Sequence, residues 1–314
     1  MTSPLNEKLS VIIPTYNCRS LLERHLKHLQ TWIDLAFEVI VVDSQSTDGT
    51  RLYLEQNIQH PRVRFIDRER GLYESWNEGI SATSGDWIYI STAGDTIERK
   101  HLLKMIEQGK KAQADVVISP CFFVDEEGHI LAGSRRSNPA LLREWGGKPF
   151  YLKSPSAKYF VYQGAGIQSL LGSCASDIFR GDFLRSRPFP VNYHTHGDVA
   201  WIMRYAHEMT LCVVPEVGST FCQHVRSEPA LPKINQKDYD RMYESEKDAG
   251  PFSPYFQLCH QLRQKKQRRK EWRSTLTLLE KLEHFFSSRW KRYELTWLRQ
   301  RELRQLGQYR VNLD

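Results

Sequence analysis

Polar and acidic side chains follow four short apolar runs between residues 9 and 95. Thr15 follows LSVIIP, Asp43 ends FEVIVVD, Asp67 follows VRFI, and the segment 92–95 (TAGD) follows DWIYIS. A polar turn directly after a buried strand can hold a nucleotide through backbone and hydroxyl groups, whereas an Asp at a strand end is often only a cap. Each cluster alone therefore indicates either a nucleotide site or a turn cap.

An alternation of short apolar strands and helices must position these residues. We predict strands over 9–14, 37–43, 63–66, 86–91, 115–118 and 211–215, and helices over 19–33, 47–58, 72–83, 98–113 and 197–208. Such alternation is typical of βαβ units, which build a mostly parallel sheet with helices on both faces. Ligands of these open α/β sheets bind beyond the carboxyl ends of the strands, where the four polar places fall.

The composition is that of a globular protein with a buried core, since 40% of residues are hydrophobic and 26% are charged. No run of about 18 apolar residues predicts a membrane-spanning helix. The start, MTSPLNEKLSVIIP, lacks the pattern of a signal peptide. The six cysteines form no C-x-x-C pair, so we expect reduced thiols and a cytoplasmic location.

Four ordered motifs contain the strand-end residues. They are SVIIPTYN at 10–17, VVDSQSTDGT at 41–50, GLYESWNEGI at 71–80 and GDWIYISTAGD at 85–95. Together they resemble the family 2 glycosyltransferases of bacterial surface-polysaccharide synthesis, which have the Rossmann-like GT-A fold. The resemblance implies an inverting glycosyltransferase that moves a sugar from a UDP-, GDP- or dTDP-sugar to a hydroxyl of a glycan or lipid-linked acceptor.

The same resemblance implies which residues bind the donor nucleotide. They are Pro14, Thr15, Tyr16, Asp43, Asp67, Arg70, Asn77, Thr92, Gly94 and Asp95. Within this set, Thr15 and Tyr16 should lie along the base and ribose, and Arg70 could meet a phosphate through a charge-assisted hydrogen bond. A surface ion pair between Asp67 and Arg70 is the alternative for those two residues.

The fourth motif departs from the family pattern. The family's D-x-D places two carboxylates around a divalent cation, whereas the segment 92–95 keeps only Asp95. By resemblance, Asp95 and His224 should bind Mn²⁺ or Mg²⁺ together with substrate phosphates. The reduced motif leaves a second hypothesis, a non-catalytic nucleotide-sugar-binding or scaffold protein on a degenerate GT-A fold. A nucleotidyltransferase ranks last, because the sequence lacks a Gly-rich phosphate loop bearing Lys or Arg.

The second half of the chain contains a segment that resembles the part of the family associated with the acceptor. HGDVAWIMR at 196–204 is similar to the family's E-D-x-x-x-x-x-R element, with Gly197 in place of Glu. An inverting transfer needs a base to take the proton of the acceptor hydroxyl, and the resemblance gives that role to Asp198. A helix N-cap is the alternative role for Asp198.

We predict three regions along the chain. These are a GT-A-like glycosyltransferase domain over 1–225, a linker or loop over 226–254, and a basic helical extension over 255–314. Residues 261–310 hold 15 Lys or Arg and 5 Glu, a net charge of +10, and since the whole chain carries +7, the rest of it carries −3. An apolar stripe recurs along the extension at three- and four-residue steps. Its members are Trp272, Leu276, Leu279, Phe286, Trp290, Tyr293 and Trp297.

Three kinds of partner could cover this stripe. An interfacial helix would dock on anionic lipid with aromatic residues at the boundary, which implies a peripheral location on the inner face of the cytoplasmic membrane. Packing on the catalytic domain or on a second subunit would instead bury the stripe in protein. RNA is the third, but no nucleic-acid-binding motif accompanies the basic residues, so no nucleic-acid partner is expected.

Overall fold

A computed structural model describes residues 7–136, 141, 147–163, 166–167, 170–223, 236–246, 253–271 and 278–313. The strands are β1 (Leu9–Thr15), β2 (Ala36–Asp43), β3 (Val63–Asp67), β4 (Trp87–Ile90), β5 (Thr96–Ile97), β6 (Val116–Ile118), β7 (Cys121–Val124), β8 (Ile130–Arg136), β9 (Phe150–Leu152), β10 (Tyr162–Gln163), β11 (Gly166–Ile167), β12 (Asp177–Arg180), β13 (Leu211–Val213), β14 (Ser219–Cys222) and β15 (Arg310–Asn312). The helices are α1 (Leu22–Leu29), α2 (Thr50–Asn57), α3 (Leu72–Ser81), α4 (Arg99–Ala112), α5 (Lys158–Val161), α6 (Gly181–Arg185), α7 (Gly197–Tyr205), α8 (Gln236–Glu246), α9 (Pro254–Glu271) and α10 (Leu278–Gln305). The predicted metal ligand His224 lies outside the described residues.

A nine-stranded sheet forms the centre of the described structure, in the order β15-β9-β13-β6-β12-β4-β1-β2-β3. The neighbours β3, β2, β1 and β4 are parallel, and β12 lies antiparallel between β4 and β6. The predicted α/β class is confirmed. The antiparallel pairings involve strands from the second half of the chain, where the hydrophobic pattern is less regular.

Both faces of this sheet are buried, because successive residues of a strand point to opposite sides. In β1, Val11 and Ile13 pack with residues of α1, α2 and α4 on one face. Ile12 packs with residues of α3 and α7 on the other face. With helices on both faces, the carboxyl ends of the parallel strands are left as the edge where polar residues gather.

A four-stranded sheet, in the order β5-β14-β7-β8, lies beside the segment 92–95. β5 begins directly after Asp95 and pairs antiparallel with β14. β14 is parallel to β7, so that Cys222 lies opposite Val124. This second sheet therefore holds the segment 92–95 from its carboxyl side.

The segment 226–254 differs from the predicted linker, because it contains α8. Met242 and Tyr243 of α8 are buried in the same hydrophobic core as the main sheet. Glu246 is 2% exposed and makes two hydrogen bonds with the Arg204 guanidinium of α7, at 2.6 and 2.8 Å. The segment is polar overall and has few apolar residues on the buried face of α8, so its sequence did not predict a helix.

Replacing Glu246 with alanine is expected to destabilise the protein by about 2–3 kcal/mol, because the substitution leaves Arg204 beside a buried cavity without its partner. The Arg204 side chain is 38% exposed, so solvent screening keeps the loss below that of a fully buried pair. Urea unfolding measures the difference. The control is Glu55→Ala in the exposed Arg51–Glu55 pair, for which about 0.5 kcal/mol or less is expected. Equal losses in the two variants would contradict a structural role for α8.

The segment 255–314 contains the helices α9 and α10, and parts of it pack on the main sheet. Tyr255 and Phe256 of α9 and Leu295 and Leu303 of α10 are buried in the core of the main sheet. β15 pairs antiparallel with β9 and forms an edge of that sheet. None of the described helices combines the length and apolar character that spanning a membrane requires.

Candidate active site

The carboxyl ends of β1 and β2 bring a hydroxyl and a carboxylate into contact. Thr15 Oγ1 donates a 2.8 Å hydrogen bond to Asp43 Oδ1. The backbone N–H and the hydroxyl of Ser46 donate to the same carboxylate at 2.8 and 2.7 Å. Pro14 precedes Thr15 and lies opposite Val42 in the parallel register. Asp43, which is 2% exposed, is thus fixed by protein groups at both oxygens.

Tyr16 and Arg70 lie against each other next to this strand end. The guanidinium carbon of Arg70 lies 4.3 Å from the centroid of the Tyr16 ring, within the range of a cation–π contact. Asp67 forms an ion pair with Arg51 at 2.5 Å. The alternative interpretation predicts Arg70 as the partner of Asp67. The strand end therefore presents an aromatic ring and a guanidinium together.

Asn77, which the resemblance places among the donor-binding residues, bonds to the backbone of Phe189. Its Nδ2 donates to the carbonyl oxygen of Phe189 at 2.8 Å, and its Oδ1 accepts from the backbone N–H of Phe189 at 2.9 Å. These two hydrogen bonds tie α3 to the segment before α7. Phe189 in turn stacks on Tyr73, with ring centroids 5.7 Å apart.

Asp95 is held in a tight turn at the end of β4. Gly94 has a φ of +87°, a conformation that favours glycine. Asp95 Oδ1 accepts a 2.8 Å hydrogen bond from the backbone N–H of Cys222, and Oδ2 accepts one from the Thr92 hydroxyl. Asp95 is 4% exposed, and burial raises the pKa of its carboxyl to about 7.

Cys174 lies next to Asp95, and it was not among the site residues predicted from the sequence. Its Sγ lies 3.8 Å from Asp95 Oδ2. Burial raises the pKa of the Cys174 thiol well above its usual value, and the charges of Asp95, Asp177 and Asp198 raise it further. Cys174 therefore stays a neutral thiol beside Asp95. A lone cysteine has no spacing pattern, so sequence reasoning could not have identified it.

Asp198 lies in the first turn of α7 and contacts Tyr73. The N-cap of α7 is His196, and no side-chain capping hydrogen bond is formed there, so Asp198 does not have the alternative role of N-cap. The Tyr73 hydroxyl donates a 3.0 Å hydrogen bond to Asp198 Oδ1 and lies 3.2 Å from the carbonyl oxygen of Thr195. Tyr73 is 3% exposed, and burial and the Asp198 charge raise its pKa, which keeps it a hydrogen-bond donor.

The packing of Tyr73 explains the glycine that replaces the family's Glu. A Cβ atom at Gly197 would lie 2.5 Å from the Tyr73 ring and 2.5 Å from the carbonyl oxygen of Pro190. Because such distances are far below a van der Waals contact, any larger side chain at position 197 would displace Tyr73. The sequence showed the departure from the family pattern but not its cause.

Histidine and aromatic side chains border the start of α7. The His196 ring lies edge-on to Tyr239 of α8, with centroids 6.2 Å apart. Burial lowers the pKa of His196, opposed by the charge of Asp198, so a neutral imidazole is favoured at pH 7. His194 adopts a left-handed backbone with φ of +50°. These groups offer ring faces and hydrogen-bonding nitrogens next to Asp198.

Asp95 is the one carboxylate that the segment 92–95 keeps as a ligand for a hard divalent cation. Mg²⁺ usually binds one or two carboxylates and completes its shell with substrate phosphates and water. A separate exposed group, Asp125, Glu127 and His129 between β7 and β8, also brings three ligand atoms within 4.8 Å. Exposed acidic groups of this kind are common without an ion, and we assign it no role.

Comparisons with known proteins agree with the motifs. The profile of glycosyl transferase family 2 matches residues 10–173. The succinoglycan biosynthesis protein ExoO of Rhizobium meliloti is 32% identical over 136 residues, which are 42% of this chain and 39% of that protein. The GalNAc(5)-diNAcBac-PP-undecaprenol beta-1,3-glucosyltransferase of Campylobacter jejuni is 23% identical over 203 residues, covering 63% of this chain and 60% of that protein. The chain thus spans less than two thirds of these relatives.

Solved structures show the same fold. The structure of residues 1–349 of TarS from S. aureus in complex with UDP-GlcNAc has a TM-score of 0.62 at 17% identity, and covers 87% of this chain and 77% of that one. At this level of identity the likeness bears on the fold alone. With the family match, it confirms the predicted GT-A fold.

Proposed function

We propose, from the premise that this chain belongs to glycosyl transferase family 2, that it moves a sugar from a nucleotide-diphosphate sugar to an acceptor hydroxyl. The observation that carries the proposal is the buried Asp95 carboxylate, held at the carboxyl end of β4 by the Thr92 hydroxyl and the Cys222 backbone N–H. Asp198, in the first turn of α7, offers a second carboxylate, whose Oδ1 accepts the hydrogen bond of Tyr73. A donor diphosphate would bind at Asp95, and an acceptor hydroxyl would bind at Asp198. We place this transfer in glycan or polysaccharide biosynthesis, as the names of the relatives suggest.

The donor half of the proposal concerns the strand ends. Pro14, Thr15 and Tyr16 would line the base and ribose, with the carboxylate of Asp43 held in place by Thr15. Arg70, stacked on Tyr16, would supply positive charge towards the nucleotide. Among UDP-, GDP- and dTDP-sugars we favour a UDP-sugar, because TarS has been solved with UDP and with UDP-GlcNAc.

The leaving diphosphate would be neutralised at Asp95. Asp95 would hold Mn²⁺ or Mg²⁺, and the predicted second ligand, His224, lies outside the described residues. When bound, such a cation supplies positive charge that stabilises the departing nucleoside diphosphate. The chain's own contribution is to keep the carboxylate oriented, through the Thr92 hydroxyl and the backbone N–H of Cys222.

Asp198 would act as the base of an inverting transfer. The acceptor hydroxyl would give its proton to the Asp198 carboxylate as its oxygen attacks the sugar carbon, while the bond from that carbon to the diphosphate oxygen breaks. The hydrogen bond from Tyr73 favours the ionised carboxylate that can accept a proton. The acceptor would lie near His196 and Tyr239.

The acceptor class is a glycan or a lipid-linked saccharide. The Campylobacter jejuni relative is named for a PP-undecaprenol substrate, which supports a lipid-linked acceptor for this chain. Such an acceptor would require the protein to approach a membrane surface, and we propose a peripheral location on the inner face of the cytoplasmic membrane.

Nucleotide-dependent melting tests the donor and the cation together. We expect UDP to raise the melting temperature in Mn²⁺, since a ligand that binds only the folded state adds about 2.7 kcal/mol at a hundredfold excess over its dissociation constant. GDP, dTDP and CDP should raise it less, and EDTA should abolish most of the UDP effect. A UDP shift that is unchanged in EDTA would remove the cation from Asp95 but keep the transferase.

Release of UDP from UDP-sugars, measured beside the melting shift, separates the transferase from the second hypothesis, a non-catalytic protein on a degenerate GT-A fold. The reduced segment 92–95 motivates that alternative. A melting shift with UDP but no release of UDP from UDP-sugars would favour a binding or scaffold protein. No shift with any nucleotide would contradict both proposals.

A further inference from the structure

The helix α10 has two opposite faces with different surroundings. Leu295 and Leu303 are each 3% exposed and belong to the core of the main sheet. Leu298 packs against that core as a partly buried residue, and the guanidinium of Arg299 lies 5.3 Å from the Phe160 ring. One side of α10 is therefore occupied by the protein itself.

The other side carries three aromatic residues in solvent. Trp290, Tyr293 and Trp297 are 75%, 72% and 58% exposed, and they are the aromatic members of the exposed large hydrophobic side chains in the described part of the chain. Residues three and four positions apart share one side of a helix, which also brings Arg301 and Arg304 onto this side. We call these five residues the aromatic–arginine face.

The sequence had placed these aromatic residues in one apolar stripe that could be buried in protein. Trp272 and Leu276 of that stripe lie outside the described residues, and the side chains of Leu279 and Phe286 are not described. The exposure values of Trp290, Tyr293 and Trp297 show that no described residue of this chain buries them. Within the described part of the chain, these three side chains therefore face outwards.

A shallow groove on this face is suited to an anionic group. It has a volume of about 350 Å³ and is lined by Trp297, Arg301, Arg304 and Gln305. The Arg301 guanidinium lies 5.5 Å from the centroid of the Trp297 ring. Guanidinium groups bind phosphate oxygens in a bidentate geometry, so the groove combines a ring with donors for a phosphate.

We propose that the aromatic–arginine face docks on an anionic phospholipid surface. Tryptophan and tyrosine favour the boundary between headgroups and acyl chains, and arginine beside them would bind lipid phosphate while its stem remains in apolar surroundings. Charge favours this occupant over a second copy of the chain, because residues 261–310 carry a net +10 and a two-fold contact would place like charges together. The docking does not depend on the proposed transfer reaction.

Vesicle co-sedimentation of the purified full chain tests this proposal. The protein should sediment with vesicles of phosphatidylcholine and phosphatidylglycerol, bind phosphatidylcholine vesicles much more weakly, and dissociate as salt is added. The triple variant Trp290→Ser, Tyr293→Ser, Trp297→Ser should bind about tenfold or more weakly. Arg301→Gln with Arg304→Gln should weaken binding to the anionic vesicles by roughly fivefold per arginine.

A matched control replaces exposed apolar residues elsewhere. Leu52 and Ile130 are 59% and 61% exposed, and the double variant Leu52→Ser, Ile130→Ser should bind vesicles as the unmodified protein does. All variants should keep the melting temperature and the UDP response, which separates this proposal from the proposed transfer. Unchanged vesicle binding by the triple aromatic variant would overturn the proposal. So would a triple variant that changes only the oligomeric state in sedimentation velocity, which would make the face a subunit contact.

Discussion

Replacing Asp198 with asparagine is expected to lower the rate of sugar transfer or donor hydrolysis by roughly 10²–10⁴-fold, the usual contribution of a general base. Asparagine has nearly the same shape, and its carbonyl oxygen can still accept the hydrogen bond from the Tyr73 hydroxyl. The fold and the nucleotide response should therefore be kept, while the group that takes the proton is lost. UDP release from a UDP-sugar, with and without an added acceptor, measures the rate.

The control for this substitution is Asp125→Asn, which removes a carboxylate in the turn after β7. That variant should retain the unmodified rate. Full turnover by a folded Asp198→Asn protein would mean that another group takes the proton. A variant that also loses the UDP melting shift would point to a structural role at the start of α7.

Tyr73→Phe extends the same assay to the residue that orients the base. The substitution removes the hydrogen bond that holds the Asp198 carboxylate, so the rate of UDP release should fall by roughly tenfold while the UDP melting shift is kept. Tyr89→Phe is the matched control, because Tyr89 is also buried and its hydroxyl donates to the carbonyl of Ala175 at 3.3 Å. An unchanged rate for Tyr73→Phe would leave Tyr73 with a packing role only.

The parts of the fold that local pattern determines could be predicted from the sequence. β1 is a run of apolar, mostly β-branched residues flanked by polar turns, and its parallel pairing with β2 places Thr15 opposite Asp43. Any chain with this order of strands would bring those two side chains to one edge of the sheet. The positions of the nucleotide-side residues therefore follow from hydrophobic runs and connection order alone.

The parts that depend on distant contacts could not be predicted in this way. Tyr73 and Asp198 are 125 positions apart, and no local signal links a tyrosine in α3 to an aspartate in α7. Asn77 looks like a site residue in its motif, yet its amide is used by the backbone of Phe189. The helix α8 is polar in composition and becomes visible only through a few buried side chains. Sequence spacing identifies which residues can do chemistry, whereas long-range packing decides which of them meet.

Replacing Asp95 with asparagine should raise the stability of the protein while lowering its activity. The reason is that the buried, ionised carboxylate of Asp95 destabilises the folded state. Burial raises its pKa from 3.8 to about 7, so the folded state keeps a proton that the unfolded chain releases at lower pH. Ionisation of Asp95 therefore lowers the free energy of unfolding by an amount that grows as the pH rises from about 4 to 7 and stays constant above pH 7. Asparagine never ionises, so in EDTA the variant should gain melting temperature over the unmodified protein at pH 8, and little at pH 4.

Function should change in the opposite direction. A neutral amide oxygen is a poorer ligand for a divalent cation than a carboxylate, so the Mn²⁺-dependent part of the UDP shift should disappear and UDP release should fall by about 10²-fold or more. Glu55→Gln, at an exposed position, should alter neither property. If Asp95→Asn were destabilised at every pH, the carboxylate would be a net stabilising acceptor for Thr92 and Cys222. The gain at pH 8 combined with lost activity is the result expected of a buried acid that is kept for binding rather than for folding, since natural sites carry such costs where the chemistry requires them.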